Sequence, residues 1–140
     1  MSRYVVDSSV AIKWFIPEVH SPAALRLLAS GTELLAPDLV WPESANVLWK
    51  RQRRGEMTAA ESAQVLAALR KVPIRVFPSL PLVEDALRIA NAQDRTVYDS
   101  LYLALAVSGK CPLVTADEKL FNALNRGPLG ANMCWIEQVT

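Results

Sequence analysis

The chain has 140 residues, 51% of them hydrophobic and 21% charged, the proportions of one compact soluble domain with no length left for a second. Fifteen Lys and Arg stand against fourteen Asp and Glu, a net charge of +1, so no bulk field draws the protein to nucleic acid or to an anionic membrane. Any polyanion must be held locally.

Short apolar runs alternate with helical patterns from end to end, which predicts an α/β fold around a mostly parallel sheet. The first strand is Tyr4 to Val6, followed by a helix from Ser8 to Ile16 that Pro17 stops. Ser21 and Pro22 read as N-cap and first residue of a second helix closing at Gly31. Leu34 to Ala36 is the next strand. Pro42 then opens a helix with Ala45, Leu48 and Trp49 on its apolar side, Lys50 to Arg54 in its last turns and Gly55 just beyond. Thr58 and Glu61 have capping-box spacing. Ile74 to Phe77 forms a strand, and a helix runs from Pro81 to about Gln93. Thr96 caps a strongly apolar helix reaching Ser108, with Gly109 as its stop. Leu113 to Thr115 is a strand, Glu118 to Asn125 the last helix and Met133 to Ile136 the last strand.

Cys111 and Cys134 can form at most one bridge, and the chain has apolar residues enough for a core without it, so both are expected reduced. Met1 to Val6 lacks the long apolar stretch of an export signal, and no run reaches the ~20 apolar residues of a membrane helix. Both features predict a cytoplasmic protein.

Four acids share one local context. Asp7 follows the first strand, Glu43 lies in a first helical turn, Asp99 stands three residues after the cap Thr96, and Asp117 follows Leu113–Thr115. Each taken singly also suits a capping or helix-dipole role. Taken together they fall where loops leave the carboxyl ends of parallel strands and converge on one rim. Clustered carboxylates raise each other's pKa, and the cluster stays ionised only where positive charge compensates it. With no histidine in these motifs and no zinc-type spacing, hard oxygen ligands point to Mg²⁺ or Mn²⁺ and to metal-assisted phosphodiester chemistry.

The ordered segments Val5-Val6-Asp7-Ser8-Ser9, Pro42-Glu43-Ser44-Ala45-Asn46, Val97-Tyr98-Asp99-Ser100-Leu101-Tyr102-Leu103-Ala104 and Leu113-Val114-Thr115-Ala116-Asp117 resemble PIN-domain ribonucleases. Within that family the likeness is to the VapC-type toxins of bacterial toxin–antitoxin pairs, and it covers essentially residues 1–140. The resemblance implies a three-layer α/β/α sandwich and a single nuclease domain. It implies Asp7, Glu43, Asp99 and Asp117 as catalytic and metal-holding acids around Mg²⁺ or Mn²⁺, with Thr115, Ser8 and Ser9 as supporting polar residues. It also implies an RNA substrate, a small antitoxin protein as partner and a homodimer.

Other residues carry weaker signals. Lys50, Arg51, Arg53 and Arg54 form the densest basic run, either a solvated helix end or contacts to RNA phosphates. Glu118 and Asp94 read as surface charges, and His20 as a surface loop residue. Trp14, Phe15, Trp41, Trp49 and Trp135 read as core or interface, with Trp14, Phe15 and Ile16 the candidates for a partner groove because adjacent helical aromatics point about 100° apart, which makes it awkward for both to face one core. Tyr98 and Tyr102 are expected to pack on one helix face, one hydroxyl reaching a polar neighbour. Two other classes place aspartates at strand ends, a receiver-like phosphotransfer domain and a haloacid-dehalogenase-like phosphatase. Asp7 has no Asp-x-Asp partner, however, and Lys119 is the only lysine near a comparable position. A catalytically silent binding module is the third alternative, opposed by the retention of all four acids.

Overall fold

The computed structural model describes residues 2–29 and 31–139. Five strands, β1 (Ser2–Val6), β2 (Thr32–Pro37), β3 (Ile74–Phe77), β4 (Leu113–Thr115) and β5 (Met133–Trp135), form one sheet in the order β3-β2-β1-β4-β5. Every pairing is parallel. Period-two alternation decides which face each strand residue joins. Val5, Leu35 and Leu113 enter one core cluster, while their neighbours Val6, Leu34 and Val114 enter the other.

Helices cover both faces, so the fold is the expected three-layer α/β/α sandwich. On one side pack α1 (Ser8–Ala11), α2 (Ser21–Leu25), α3 (Val40–Arg53) and α4 (Ala59–Leu69). On the other lie α5 (Val83–Gln93), α6 (Val97–Gly109) and α7 (Glu118–Leu124). Every residue from Ser100 to Ala106 in α6 is buried, and this helix, apolar all round, is the spine of its layer. No helix among the described residues is long and apolar enough to cross a membrane. Both cysteines are free, and burial raises the pKa of each thiol.

Local signals placed most elements, with corrections at their ends. The first helix tightens to 3₁₀ geometry over Ile12–Trp14 and stops before Ile16, because the residue preceding Pro17 is biased away from the helical region. Ser21 is inside α2 and does not cap it: its Oγ donates to the Ile16 carbonyl at 3.1 Å and accepts from Glu18 N–H at 3.0 Å. That chain segment also ends early, its 3₁₀ turn Arg26–Leu28 giving way to extended Ala29. Pro42 sits in the first turn of a helix that begins at Val40, where its missing N–H leaves no bond unmade. Pro81 lies in a 3₁₀ turn before α5. Gly109 is the last residue of α6, and the left-handed stop is Lys110 at φ 53°. Gly55 does take the left-handed turn after α3, at φ 76°. The capping box of α4 forms in full, Thr58 and Glu61 exchanging bonds of 2.9 and 3.1 Å.

Two aromatic assignments reverse. Trp49 is 54% exposed on α3 and lies beneath the Arg53 guanidinium, outside the apolar side expected for it. Tyr98 is also exposed, whereas Tyr102 is buried: the two share one side of α6, but Tyr98 lies in the first turn, which meets solvent, and Tyr102 one turn deeper in the buried stretch. Trp14 is buried as well, its indole N–H donating to the Ala24 carbonyl at 2.8 Å, which removes it from any partner surface. His20 bonds Glu137 at 2.6 Å and meets the edge of Trp135, tying the start of α2 to the chain after β5.

Candidate active site

The sheet order reverses between β1 and β4, and the crevice outside their carboxyl ends is where this architecture places ligands. Asp7 leaves β1 there and caps α1, its Oδ1 accepting from Val10 N–H at 3.2 Å. Asp117 follows β4 and caps α7 in the same way through Leu120 N–H. Glu43 stands in the first turn of α3 and Asp99 in the first turn of α6. All four line one cleft of about 290 Å³, together with Ser8, Ser9, Asn46, Lys50 and Tyr102. The capping roles are therefore real, and they aim the acids at a common space.

Two hydrogen-bond clusters hold them. Ser9 Oγ donates to Asp7 Oδ1 at 2.5 Å and Thr115 Oγ1 donates to Asp7 Oδ2 at 2.8 Å. These hydroxyls in turn accept from backbone N–H groups of the β4–α7 loop, Ser9 from Ala116 at 3.2 Å and Thr115 from Asp117 at 3.0 Å. In the second cluster Glu43 Oε1 accepts from Ser8 Oγ at 2.7 Å and from Tyr102 Oη at 2.8 Å.

Burial pushes the Asp7 carboxyl up to about 6, against the Ser9 and Thr115 bonds that favour its ionised form, and the charge of Glu43 adds to the rise. Burial likewise raises Asp99, outweighing the guanidinium of Arg95 at 3.3 Å, with the charge of Asp117 adding to the shift. Tyr102 is driven far above its usual range by burial and then by the nearby Glu43, so it keeps its proton and serves as a donor. The cleft is short of positive charge.

A divalent cation would supply what is missing, and the donor set suits a hard one. Among the described residues no three Asp, Glu, His or Cys side chains converge to cage an ion by themselves. That agrees with the chemistry of Mg²⁺, which keeps several waters and is held by one or two carboxylates together with substrate phosphate oxygens. The four acids fit such a water-rich site and would not suit a closed, zinc-like one.

Of the expected basic contacts, only Lys50 lines the cleft, on the α3 face it shares with Glu43 and Asn46. Arg51 instead bonds Glu18 at 2.6 Å beside Lys13, which fastens α3 to the loop after the first helix. Arg53 covers Trp49, and Arg54 pairs with Glu56 in solvent. Glu118 and Asp94 stay outside the cleft, Asp94 forming the left-handed end of α5. The sequence reading missed Asn46 and Arg95. Helical spacing from Glu43 was a signal for Asn46. No such signal existed for Arg95, which precedes the cap Thr96 and reaches Asp99 from outside the helix.

The family model described as PIN domain matches residues 4–126. This chain belongs to the PIN-domain family, a nuclease domain. Ribonuclease VapC3 of Pyrobaculum aerophilum is 35% identical over 122 residues, covering 84% of this chain and 92% of that protein. The solved structure of PAE2754, also from Pyrobaculum aerophilum, superposes with a TM-score of 0.70 at 25% identity, over 97% of this chain and 85% of that one. A toxin–antitoxin complex from Klebsiella pneumoniae shares the fold, with a TM-score of 0.64 at 14% identity over 97% and 99% of the two chains.

Proposed function

We propose that this PIN-domain protein is a divalent-metal-dependent endoribonuclease of the cytoplasm and the toxin of a toxin–antitoxin pair. The observation that carries the reading is the gathering of Asp7, Glu43, Asp99 and Asp117 in one cleft at the carboxyl edge of the sheet. Asp7, Glu43 and Asp99 would hold Mg²⁺ or Mn²⁺ directly or through water, with Asp117 completing the site or orienting the attacking water. The chemistry such an ion would supply is a lowered pKa for that water and compensation of charge on the scissile phosphate. Ser9 and Thr115 fix both oxygens of Asp7, so the carboxylate needs no reorganisation when substrate arrives. Ser8 and Tyr102 do the same for one oxygen of Glu43 and leave Oε2 free of those two bonds. Lys50, at the cleft wall, takes an RNA phosphate beyond the scissile one.

The nucleophile is water and not the neighbouring 2′-oxygen, because the cleft contains no histidine to serve a cyclising acid–base pair. Cleavage should therefore leave a 5′-phosphate and a 3′-hydroxyl, and stop in excess EDTA. Mapping the ends of a cut RNA decides the matter: a 2′,3′-cyclic phosphate overturns the metal–water mechanism.

For the antitoxin, a groove of about 410 Å³ between Phe15, Ile16 and Pro17 and the α3–α4 hairpin, apolar at Met57, Val65 and Ala68 and polar at Arg51, Glu56, Glu61 and Gln64, suits an amphipathic helical segment. For a second copy of the chain, Leu80, Val83 and Leu87 form an exposed apolar stripe along the start of α5.

A further inference from the structure

Arg95 reaches Asp99, one of the acids lining the candidate site, from the connection between α5 and α6, without lining the cleft itself. Asp94, left-handed at φ 54°, turns the chain, Arg95 N–H returns to the Ala90 carbonyl, and Thr96 then caps α6. Outside the helix, the Arg95 side chain folds back over the first turn and sets Nη2 3.3 Å from Asp99 Oδ2. Asp99 is the only one of the four cleft acids with an ion-pair partner among the described residues.

The contact is a loose one. An arginine that locks a carboxylate does so through a two-pronged fork with N···O distances near 2.8 Å. Here one longer contact forms, and Arg95 Nε is buried without an acceptor. A buried donor left unmade is costly, so this guanidinium is poorly satisfied where it rests and easily displaced from Asp99. Its charge matters nonetheless, because Asp99 also feels Asp117 and, among the described residues, no other cation touches the group. In the metal-free protein Arg95 offsets part of the carboxylate repulsion. It also occupies an oxygen that an ion at Asp99 would use, and two cations on one carboxylate repel each other.

We propose that Arg95 is a positioning residue that competes with the divalent ion for Asp99 and so sets how tightly the cleft binds it. The inference rests on the metal-site reading above. Because coupling between two ligands of one group is reciprocal, removing the Arg95 charge must strengthen ion binding, and ion binding must loosen the Arg95–Asp99 pair.

The test is a Mn²⁺ titration of the full, metal-free chain without RNA, followed by calorimetry or by loss of the free-ion paramagnetic signal. Arg95→Gln should bind Mn²⁺ about fivefold more tightly than the unsubstituted protein. Arg95→Lys, which keeps the charge, should stay within about twofold of it. Arg95→Met keeps the aliphatic stem and serves where Gln unsettles the α5–α6 turn. A purely structural staple predicts lower thermal stability in these variants with unchanged Mn²⁺ affinity, and that result, or weaker binding, overturns the proposal. A parent protein that binds no Mn²⁺ removes the metal-site reading itself, and the inference with it.

Discussion

Thr115 and Asp7 stand 108 residues apart in the chain and are joined by a 2.8 Å hydrogen bond between the ends of β4 and β1. The same hydroxyl accepts from Asp117 N–H, so one side chain couples two of the four acids across the sheet. Replacing it with the isosteric Val leaves Asp7 Oδ2 without this donor in a buried place. Thr115→Val should lose about 1–3 kcal/mol of stability near neutral pH, the cost of an unmet buried polar group. The loss should shrink in acid, where Asp7 is protonated. Chemical denaturation at the two pH values measures the difference, and equal losses at both would separate Thr115 from the charge on Asp7.

Asp7 itself is held at a cost to the fold. Its pKa is raised from 3.8 to about 6, so the folded state binds the proton more tightly than the unfolded state does. The contribution of this group to stability is present below 3.8 and is lost as pH rises through about 6. By neutral pH that loss is on the order of 3 kcal/mol as an upper figure. Asp7→Asn retains the Val10 cap and removes the charge, so it should be as stable as the parent or more stable near pH 7, with a flatter stability profile in weak acid. RNA cleavage should vanish in the same protein. Thermal melts across this range check the sign, and a destabilised variant at neutral pH would show that the Ser9 and Thr115 bonds to the carboxylate outweigh the cost of burying its charge.

Tyr102→Phe removes one of two donors to Glu43 Oε1 and leaves Ser8 in place. The ring is buried and keeps its packing, so folding should change by no more than about 1 kcal/mol. Activity should fall by about tenfold, with an intact fold by circular dichroism, as expected when a carboxylate loses its orienting bond. Wild-type turnover would show that Ser8 alone orients Glu43.

The groove beside Phe15 can be tested without touching the acids. Met57→Glu places a charge on its apolar wall and should abolish capture of the proposed antitoxin while ribonuclease activity persists. Co-purification of the two tagged products reads the first effect, and RNA digestion the second. Light scattering on Leu87→Glu tests the exposed α5 stripe, where a dimer should become a monomer.

The features legible in the amino-acid order are local ones. Asp7 after Tyr4–Val6, the Thr58–Glu61 box, Thr96 capping α6 and Gly55 beyond α3 are all decided within a few residues, by backbone donors that need partners and by conformations few residues adopt. The alternation of short apolar runs with helices was enough to imply a parallel sheet, and the four acids in order were enough to resemble one family. Side-chain partners, by contrast, were fixed by the packing of elements against one another. Whether Trp14 or Trp49 is buried, whether Arg51 faces the cleft or Glu18, and which hydroxyls reach Asp7 depend on strand order and helix rotation. The Arg95–Asp99 pair belongs to the same class, since its geometry is set by a left-handed turn and not by helical spacing. Periodicity states which side of an element is apolar, but burial and charge pairing are relations between elements, and those exist only once the sheet has brought β1 and β4 together.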